Sequence, residues 1–166
     1  MELLLERFRK FIETNSLCSR DDRILLAVSG GIDSVVMLNL IREAGYNADV
    51  SHCNFHLRGE ESDEDAVFVE SLSGEKGLKF YRKDFNTGEF ASQQGISIQM
   101  AARDLRYAWF EEIREANGYE LIATAHNLDD VLCAHRKSLP SHLIAPFYCP
   151  SISQKTALPP SWLPIS

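Results

Sequence analysis

Residues 24–40 read ILLAVSGGIDSVVMLNL, and this stretch decides the fold. Its first five residues are all apolar, a short continuous run typical of a parallel strand buried on both faces. The hexapeptide SGGIDS at 29–34 follows, and apolar residues then recur at helical spacing. Two glycines at a strand-to-helix turn allow positive φ and close backbone approach, and the opening N–H groups of a helix favour anions. The stretch therefore predicts a phosphate-binding loop.

The loop lacks the lysine of the common P-loop, so another group must offset the phosphate charge. Asp33 can do so as a Mg²⁺ ligand, while Ser29 and Ser34 can add hydroxyl donors. An ordinary Gly-Gly turn, with Asp33 or Ser34 as the helix N-cap, stays open on this evidence. The pattern Ser-Gly-Gly-x-Asp-Ser resembles the pyrophosphate loop of the PP-loop ATPases, which split ATP between the α- and β-phosphates. That resemblance implies AMP transfer to a substrate.

Length and composition limit what can accompany this loop. The chain has 166 residues, enough for one domain. No apolar run approaches the length of a membrane span, which is about 18 residues. The four cysteines form no C-x-x-C pair, so we expect reduced cysteines in a cytoplasmic protein without membrane association. Residues 1–130 hold 14 basic and 24 acidic side chains, a net charge of −10, which suits a long phosphate backbone poorly.

Strand and helix patterns alternate along the chain. After a lead-in helix near 4–14, strands are predicted at 24–28, 48–53, 78–81 and 121–125. Helices are predicted after the loop, from Ser62, and from Ser97 to Asn117. The fold class predicted is α/β, a doubly wound and mostly parallel sheet with helices on both faces. In such a sheet the polar segments 29–34, 52–59 and 126–130 meet at the carboxyl ends of the strands.

Two of these segments leave their chemistry open. His52, Asn54 and His56 alternate and would project to one side of an extended chain, but two histidines are weak evidence for a metal, and hydrogen bonding to backbone is the favoured interpretation. Asp129 and Asp130 beside His126 suit helix capping, Mg²⁺ ligation or an amine partner. On the long helix, Arg103 and Arg106 share one face, either as a site or as a solvated basic strip. The candidate site residues therefore come from the segments 52–59 and 126–130 and from the two arginines of the long helix.

Three further motifs, HCNFHLRGEES at 52–62, ARDLRY at 102–107 and TAHNLDD at 124–130, follow the loop in order. Together they resemble the tRNA(Ile)-lysidine synthetases, which activate the wobble cytidine of tRNA(Ile) with ATP and then join L-lysine to it. The resemblance implies ATP and Mg²⁺ as cofactors and a carbon–nitrogen ligase activity. It implies ATP contacts at Ala27, Ser29, Gly30, Gly31, Asp33, Ser34, His52 and Asn54, with Asp33 holding the metal. It implies catalytic roles for Asp33, Arg103, Arg106, His126 and Asp130.

The resemblance ends abruptly after Asp130. The family continues Gln-x-Glu-Thr, whereas this chain reads VLCA at 131–134, so Cys133 stands where the family has Glu. Residues 131–166 contain no acidic residue and all six prolines, which argues against a long helix or a central strand there. We therefore divide the chain into a PP-loop catalytic domain at 1–130 and an atypical proline-rich tail at 131–166. A reading-frame shift or truncation is the favoured origin, with a divergent natural tail as the alternative.

We predict that this chain binds tRNA(Ile) weakly and with little discrimination from other tRNAs, because its main body is acidic. A gel-shift titration at physiological salt measures this, with an unrelated tRNA as the control. Tight and selective binding would contradict the prediction.

Overall fold

The computed structural model describes residues 2–125 in full, and the backbone of 132–136 and 145–147. The helices are α1 Glu2–Thr14, α2 Ile32–Glu43, α3 Glu60–Glu75, α4 Thr87–Gln94 and α5 Ile98–Asn117. The strands are β1 Arg23–Ala27, β2 Asn47–Asn54, β3 Phe80–Asp84, β4 Leu121–Thr124, β5 Leu132–Arg136 and β6 Ala145–Phe147. His126, Asp129 and Asp130 lie outside the described residues, so the predictions that concern them stay predictions.

The described strands form one six-stranded sheet in the order β3-β2-β1-β4-β5-β6. β1 pairs in parallel with β2 on one side and with β4 on the other, and β2 pairs in parallel with β3. The chain thus runs outward from β1 to β3 and then returns to the other side of β1. The order reverses between β1 and β4, which is where ligands bind in sheets of this kind.

Helices cover both faces of the sheet. Successive residues of β1 point to opposite faces, so each face buries its own β1 side chains. Leu26 packs with Phe8 and Ile12 of α1, with α2, and with Val69 of α3. Leu25 packs on the other face with aromatic and aliphatic residues of α5. The predicted doubly wound, mostly parallel α/β fold is confirmed.

The predicted starts of α3 and β3 are wrong, the first because of a local cap and the second because of strand pairing. Helix α3 begins two residues before Ser62, with Gly59 as its N-cap at φ +60°, and the Ser62 hydroxyl instead accepts the Arg58 N–H at 3.2 Å. Strand β3 begins at Phe80, two residues after the predicted start, because its register is set by pairing with β2 from Val50 onward. The strand propensity of the residues alone does not determine that register.

The structure contains one helix and one central strand that the sequence analysis did not predict. Helix α4 was absent from the predicted elements, although Asn86 caps it by accepting the Glu89 N–H at 3.3 Å. Strand β5 lies between β4 and β6, so the expectation of no central strand after residue 130 is wrong. Its five residues contain no proline, and Pro146 lies in β6 at the end of the described sheet, where proline is tolerated.

None of the helices in the described part of the chain combines the length and apolar character that crossing a membrane requires.

We predict that Leu26→Ala lowers the free energy of unfolding by about 2–5 kcal/mol, because it removes a fully buried side chain from the central strand. Leu3→Ala is the matched control, since Leu3 is 60% exposed on α1, and we expect a change within about 0.5 kcal/mol. Urea unfolding followed by circular dichroism measures both. Equal losses in the two variants would contradict the assignment of the core.

Candidate nucleotide site

A cavity of about 310 Å³ opens at the carboxyl edge of the sheet, beside the point where the strand order reverses. Its walls come from the ends of β1, β2 and β4, from the β2–α3 connection and α3, and from α5. The lining residues are 27–29, 51–55, Leu57, Arg58, Ser62, Asp65, Arg106, Phe110, Thr124 and Ala125. Two of the three polar segments predicted to meet at one edge therefore do meet there.

The loop between β1 and α2 is shaped by its own hydrogen bonds. The Ser34 hydroxyl donates to the Gly31 carbonyl at 2.7 Å, and the Ser29 N–H donates to Ser34 Oγ at 3.2 Å. Gly30 has φ +93°, a conformation that side-chain-bearing residues rarely adopt. Gly31 is the N-cap of α2, and no side chain caps the helix there. The helix start is thus formed by backbone and stays open to an anion.

Asp33 and Ser34 lie inside α2, so the alternative that either one is the N-cap is wrong. Ser34 is 3% exposed, and its hydroxyl hydrogen goes to Gly31 rather than outward. Its oxygen shapes the loop in this geometry, and contact with a phosphate stays a prediction. Asp33 is half-buried in the first turn of α2, beside the loop. Of the loop residues, Ser29 lines the cavity.

His52 is buried in β2 with its Nδ1 2.8 Å from the Val28 carbonyl. Because a carbonyl only accepts, Nδ1 carries the proton, which leaves Nε2 as an acceptor in the neutral ring. Burial is the main cause that lowers the pKa of His52 below its ordinary value. At neutral pH the ring is therefore uncharged, and it presents an acceptor in the cavity wall rather than a cation.

The extended chain ends at Asn54, so the predicted one-sided row of His52, Asn54 and His56 does not continue to His56. His56 has φ +51°, and its N–H donates to Asn54 Oδ1 at 3.0 Å. The Asn54 amide donates to Asp63 Oδ1 at 2.6 Å. Asn54 is 1% exposed and ties the β2–α3 connection to α3 while also lining the cavity.

A polar cluster lies at the end of β3, formed by His56, Asp63, Asp84 and Arg82. Possible metal-ligand atoms of its His and two Asp lie within 4.8 Å of one another. Arg82 already pairs with both carboxylates, at 2.8 Å to Asp84 and 3.6 Å to Asp63. The Arg82 hydrogen bond is the main cause that lowers the pKa of Asp84. The cluster is explained as an exposed ion-pair network around a guanidinium.

The two candidate arginines of α5 differ in position. Arg106 lines the cavity, with its guanidinium 5.2 Å from the centre of the Phe55 ring. Arg103 is exposed, and its guanidinium lies 5.9 Å from the Tyr107 ring. Among the described residues that line the cavity, Arg106 is present and Arg103 is not. The geometry therefore favours Arg106 for contact with a ligand.

Several lining residues escaped the sequence analysis. Phe55 and Phe110 form apolar walls, and Phe55 stacks on Phe85 at 5.3 Å. Cys53 also lines the cavity, and burial raises the pKa of its thiol to about 12, so it is protonated and a poor nucleophile. The sequence does not distinguish an aromatic residue that fills a core from one that lines a cavity.

Asp65 was also missed, although its spacing three residues after Ser62 places both on one face of α3. Its carboxylate packs so closely on the loop that a Cβ added at Gly30 would lie 2.8 Å from Asp65 Oδ1. Asp65 also holds Arg58 Nη2 at 2.5 Å. An open helix start with Asp33 in its first turn fits phosphates accompanied by Mg²⁺, since carboxylate oxygen is the ligand that this ion prefers.

The family model described as the PP-loop domain matches residues 2–134, which include β1, the glycine loop and the strands that form the cavity. The chain belongs to the PP-loop family. Membership implies that the protein uses ATP.

Curated relatives include the tRNA(Ile)-lysidine synthases of Bacteroides thetaiotaomicron and of Porphyromonas gingivalis W83, each 48% identical over 128 residues. These alignments cover 77% and 76% of this chain but 30% and 28% of the relatives. The chain thus spans under a third of the length of these curated relatives. The predicted resemblance to the tRNA(Ile)-lysidine synthetases is confirmed by this similarity.

Two solved structures share the fold of this chain. The U34-tRNA thiolase NcsA from Methanococcus maripaludis, solved with its [4Fe-4S] cluster, superposes with a TM-score of 0.64 at 20% identity, over 78% of this chain and 46% of that one. The NH₃-dependent NAD synthetase from Campylobacter jejuni gives a TM-score of 0.57 at 19% identity, over 73% and 54%. At these identities the likeness concerns the fold alone.

We predict that Gly30→Ala lowers the free energy of unfolding by about 1–2 kcal/mol, because its φ of +93° suits glycine and the new Cβ would meet Asp65. Gly74→Ala is the control, since no atom lies within 4 Å of its added Cβ and it lies in α3. That change is expected to stabilise the protein by about 0.5–1 kcal/mol. Urea unfolding distinguishes the two signs, and a neutral or stabilising Gly30→Ala would refute the strained position of the loop.

Proposed function

We propose that this chain is the nucleotide-binding part of a tRNA(Ile)-lysidine synthase, which adenylates the wobble cytidine of tRNA(Ile) and joins L-lysine to it. The observation that carries the proposal is the cavity at the strand-order reversal with the open glycine loop at its mouth. The 48% identity to named lysidine synthases supports this reaction over the others of the PP-loop family.

The phosphates of ATP would bind at the backbone of Ser29, Gly30 and Gly31, where the start of α2 favours negative charge. Asp33 would hold Mg²⁺, which stabilises the charge that develops on departing pyrophosphate. Neutral His52 offers an acceptor at Nε2 to an amino group, such as that of adenine, at the end of β2. The roles of Ser29 and His52 are supported by their place in the cavity wall, and those of Gly31 and Asp33 by their place at the start of α2.

We place the substrate on the α5 side of the cavity, which Arg106 lines. Arg106, held over Phe55, would contact a phosphate or the substrate, and Arg103 is the less favoured alternative. Transfer of AMP to the cytosine oxygen turns that oxygen into a good leaving group. The lysine amine must then lose a proton to a nearby base, for which His126 and Asp130 are the candidates.

A second candidate function is ATP binding without catalysis. The observation that favours it is Cys133, which stands where the lysidine synthetases have Glu. A thiol is largely neutral at pH 7 and is a poor partner for a lysine ammonium. A lysine-incorporation assay on tRNA(Ile) separates the two candidates. Incorporation by this chain supports the ligase, and ATP binding without incorporation supports the non-catalytic domain.

We predict that ATP binds in a Mg²⁺-dependent manner and that Asp33→Asn weakens this binding at least about tenfold, the effect of losing one charged contact. Calorimetric titration with and without a chelator measures the affinity and its metal dependence. Asp21→Asn is the matched control, because Asp21 is exposed in the segment before β1. If Asp33→Asn binds Mg²⁺-ATP as tightly as the unchanged chain does, Asp33 is not the metal ligand.

A further inference from the structure

Two residues of opposite charge lie beside the glycine loop, residues 29–34. Arg58 lies in the connection from β2 to α3, just before the N-cap Gly59, and Asp65 lies in the second turn of α3. Their side chains meet at 2.5 Å between Arg58 Nη2 and Asp65 Oδ2. Both residues line the same cavity as Ser29. We call this pair the Arg58–Asp65 latch.

The latch is placed by contacts on both of its sides. The Arg58 N–H donates to the Ser62 hydroxyl, which holds the connection against the first turn of α3. On the other side, Asp65 packs against Gly30, where even a methyl group would lie 2.8 Å from its Oδ1. The carboxylate therefore touches the backbone that a phosphate would approach, and its negative charge opposes that approach.

The exposure of the two side chains makes an exchange of partners feasible. The Arg58 side chain is 62% exposed and that of Asp65 is 29% exposed. An ion pair this exposed contributes little to stability, so breaking it is inexpensive. A polyphosphate carries more negative charge than a single carboxylate and accepts strong, often bidentate, hydrogen bonds from a guanidinium. Arg58 would therefore bind a phosphate beside Ser29 more strongly than it binds Asp65.

We propose that the Arg58–Asp65 latch controls entry of phosphates: Asp65 holds Arg58 while the site is empty, and an incoming polyphosphate takes Arg58 from it. Asp65 is then a positioning residue that acts through Arg58, and it weakens phosphate binding rather than supporting it. This inference rests on the proposed function, because it requires a polyphosphate ligand at the loop. It assigns to α3 a part in nucleotide selection that the glycine loop alone does not supply.

The test is calorimetric titration of the whole chain with inorganic pyrophosphate, and with ATP in the presence of a chelator. We expect Asp65→Asn to tighten pyrophosphate binding about tenfold and Arg58→Gln to weaken it about tenfold, each the effect of one charge-assisted contact. In the double variant the gain from Asp65→Asn falls below about threefold, because no Arg58 remains to be released. Arg58→Lys is expected to retain most of the affinity, since it keeps the positive charge.

Two controls separate the latch from general effects. Glu64→Gln removes the same charge from a neighbouring exposed position of α3 and leaves pyrophosphate affinity unchanged within about twofold, since exposed charges outside the cavity are screened. Adenosine, which has no phosphate, is expected to bind all variants equally. Asp65→Ala repeats the loss of the carboxylate in a second side chain, should Asp65→Asn fail to fold.

The outcomes distinguish the latch from the proposed function. If the unchanged chain binds pyrophosphate and Asp65→Asn binds it equally or more weakly, the latch is wrong while the nucleotide site stands. If only the Asp65 variants bind, the latch is supported and the proposed function fails for the chain as it is. If no variant binds pyrophosphate or Mg²⁺-ATP, both are overturned.

Discussion

The parallel pairing of β1 with both β2 and β4 is the constraint on which the site depends. Because all three strands run in one direction, their carboxyl ends reach the same edge, and the segments that follow them are brought together. β1 can occupy this central position because Leu25 and Leu26 are fully buried on opposite faces. Its loop therefore opens at the edge where the strand order reverses.

The loop itself combines two opposing requirements. It must hold a fixed shape, which the Ser34 hydroxyl supplies by bonding the Gly31 carbonyl, and it must leave backbone open to an anion. Gly30 forms the turn through its positive φ and its lack of a Cβ, and the exposed Gly31 leaves the start of α2 accessible. The same absence of a Cβ lets Asp65 approach. The proposed phosphate site thus has a carboxylate packed directly against it, and the neighbouring Arg58 pairs with that charge.

The cavity wall combines polar and aromatic side chains. Ser29, His52 and Arg58 line it together with Phe55 and Phe110, and the Arg106 guanidinium lies over the Phe55 ring. A few polar groups among apolar walls are typical of small-molecule sites. Neutral His52 fits this wall, since a charged imidazolium buried at this place would be unfavourable. Cys53, protonated in the same wall, adds packing rather than reactivity.

The sequence by itself determined the alternation of strands and helices up to β4 apart from α4, the turn at Gly30 and Gly31, and the convergence of two polar segments, because hydrophobic period and glycine placement are local signals. Tertiary structure decided what local signals do not carry. The register of β3 depends on pairing with β2, and the choice of Arg106 over Arg103 depends on how α5 packs. Asp65 reads as one more acidic residue of an acidic helix until the fold sets it against Gly30, 35 positions earlier in the chain. Contacts between residues this far apart arise only from the packing of α3 beside β2 and the loop, which no nearby residue specifies.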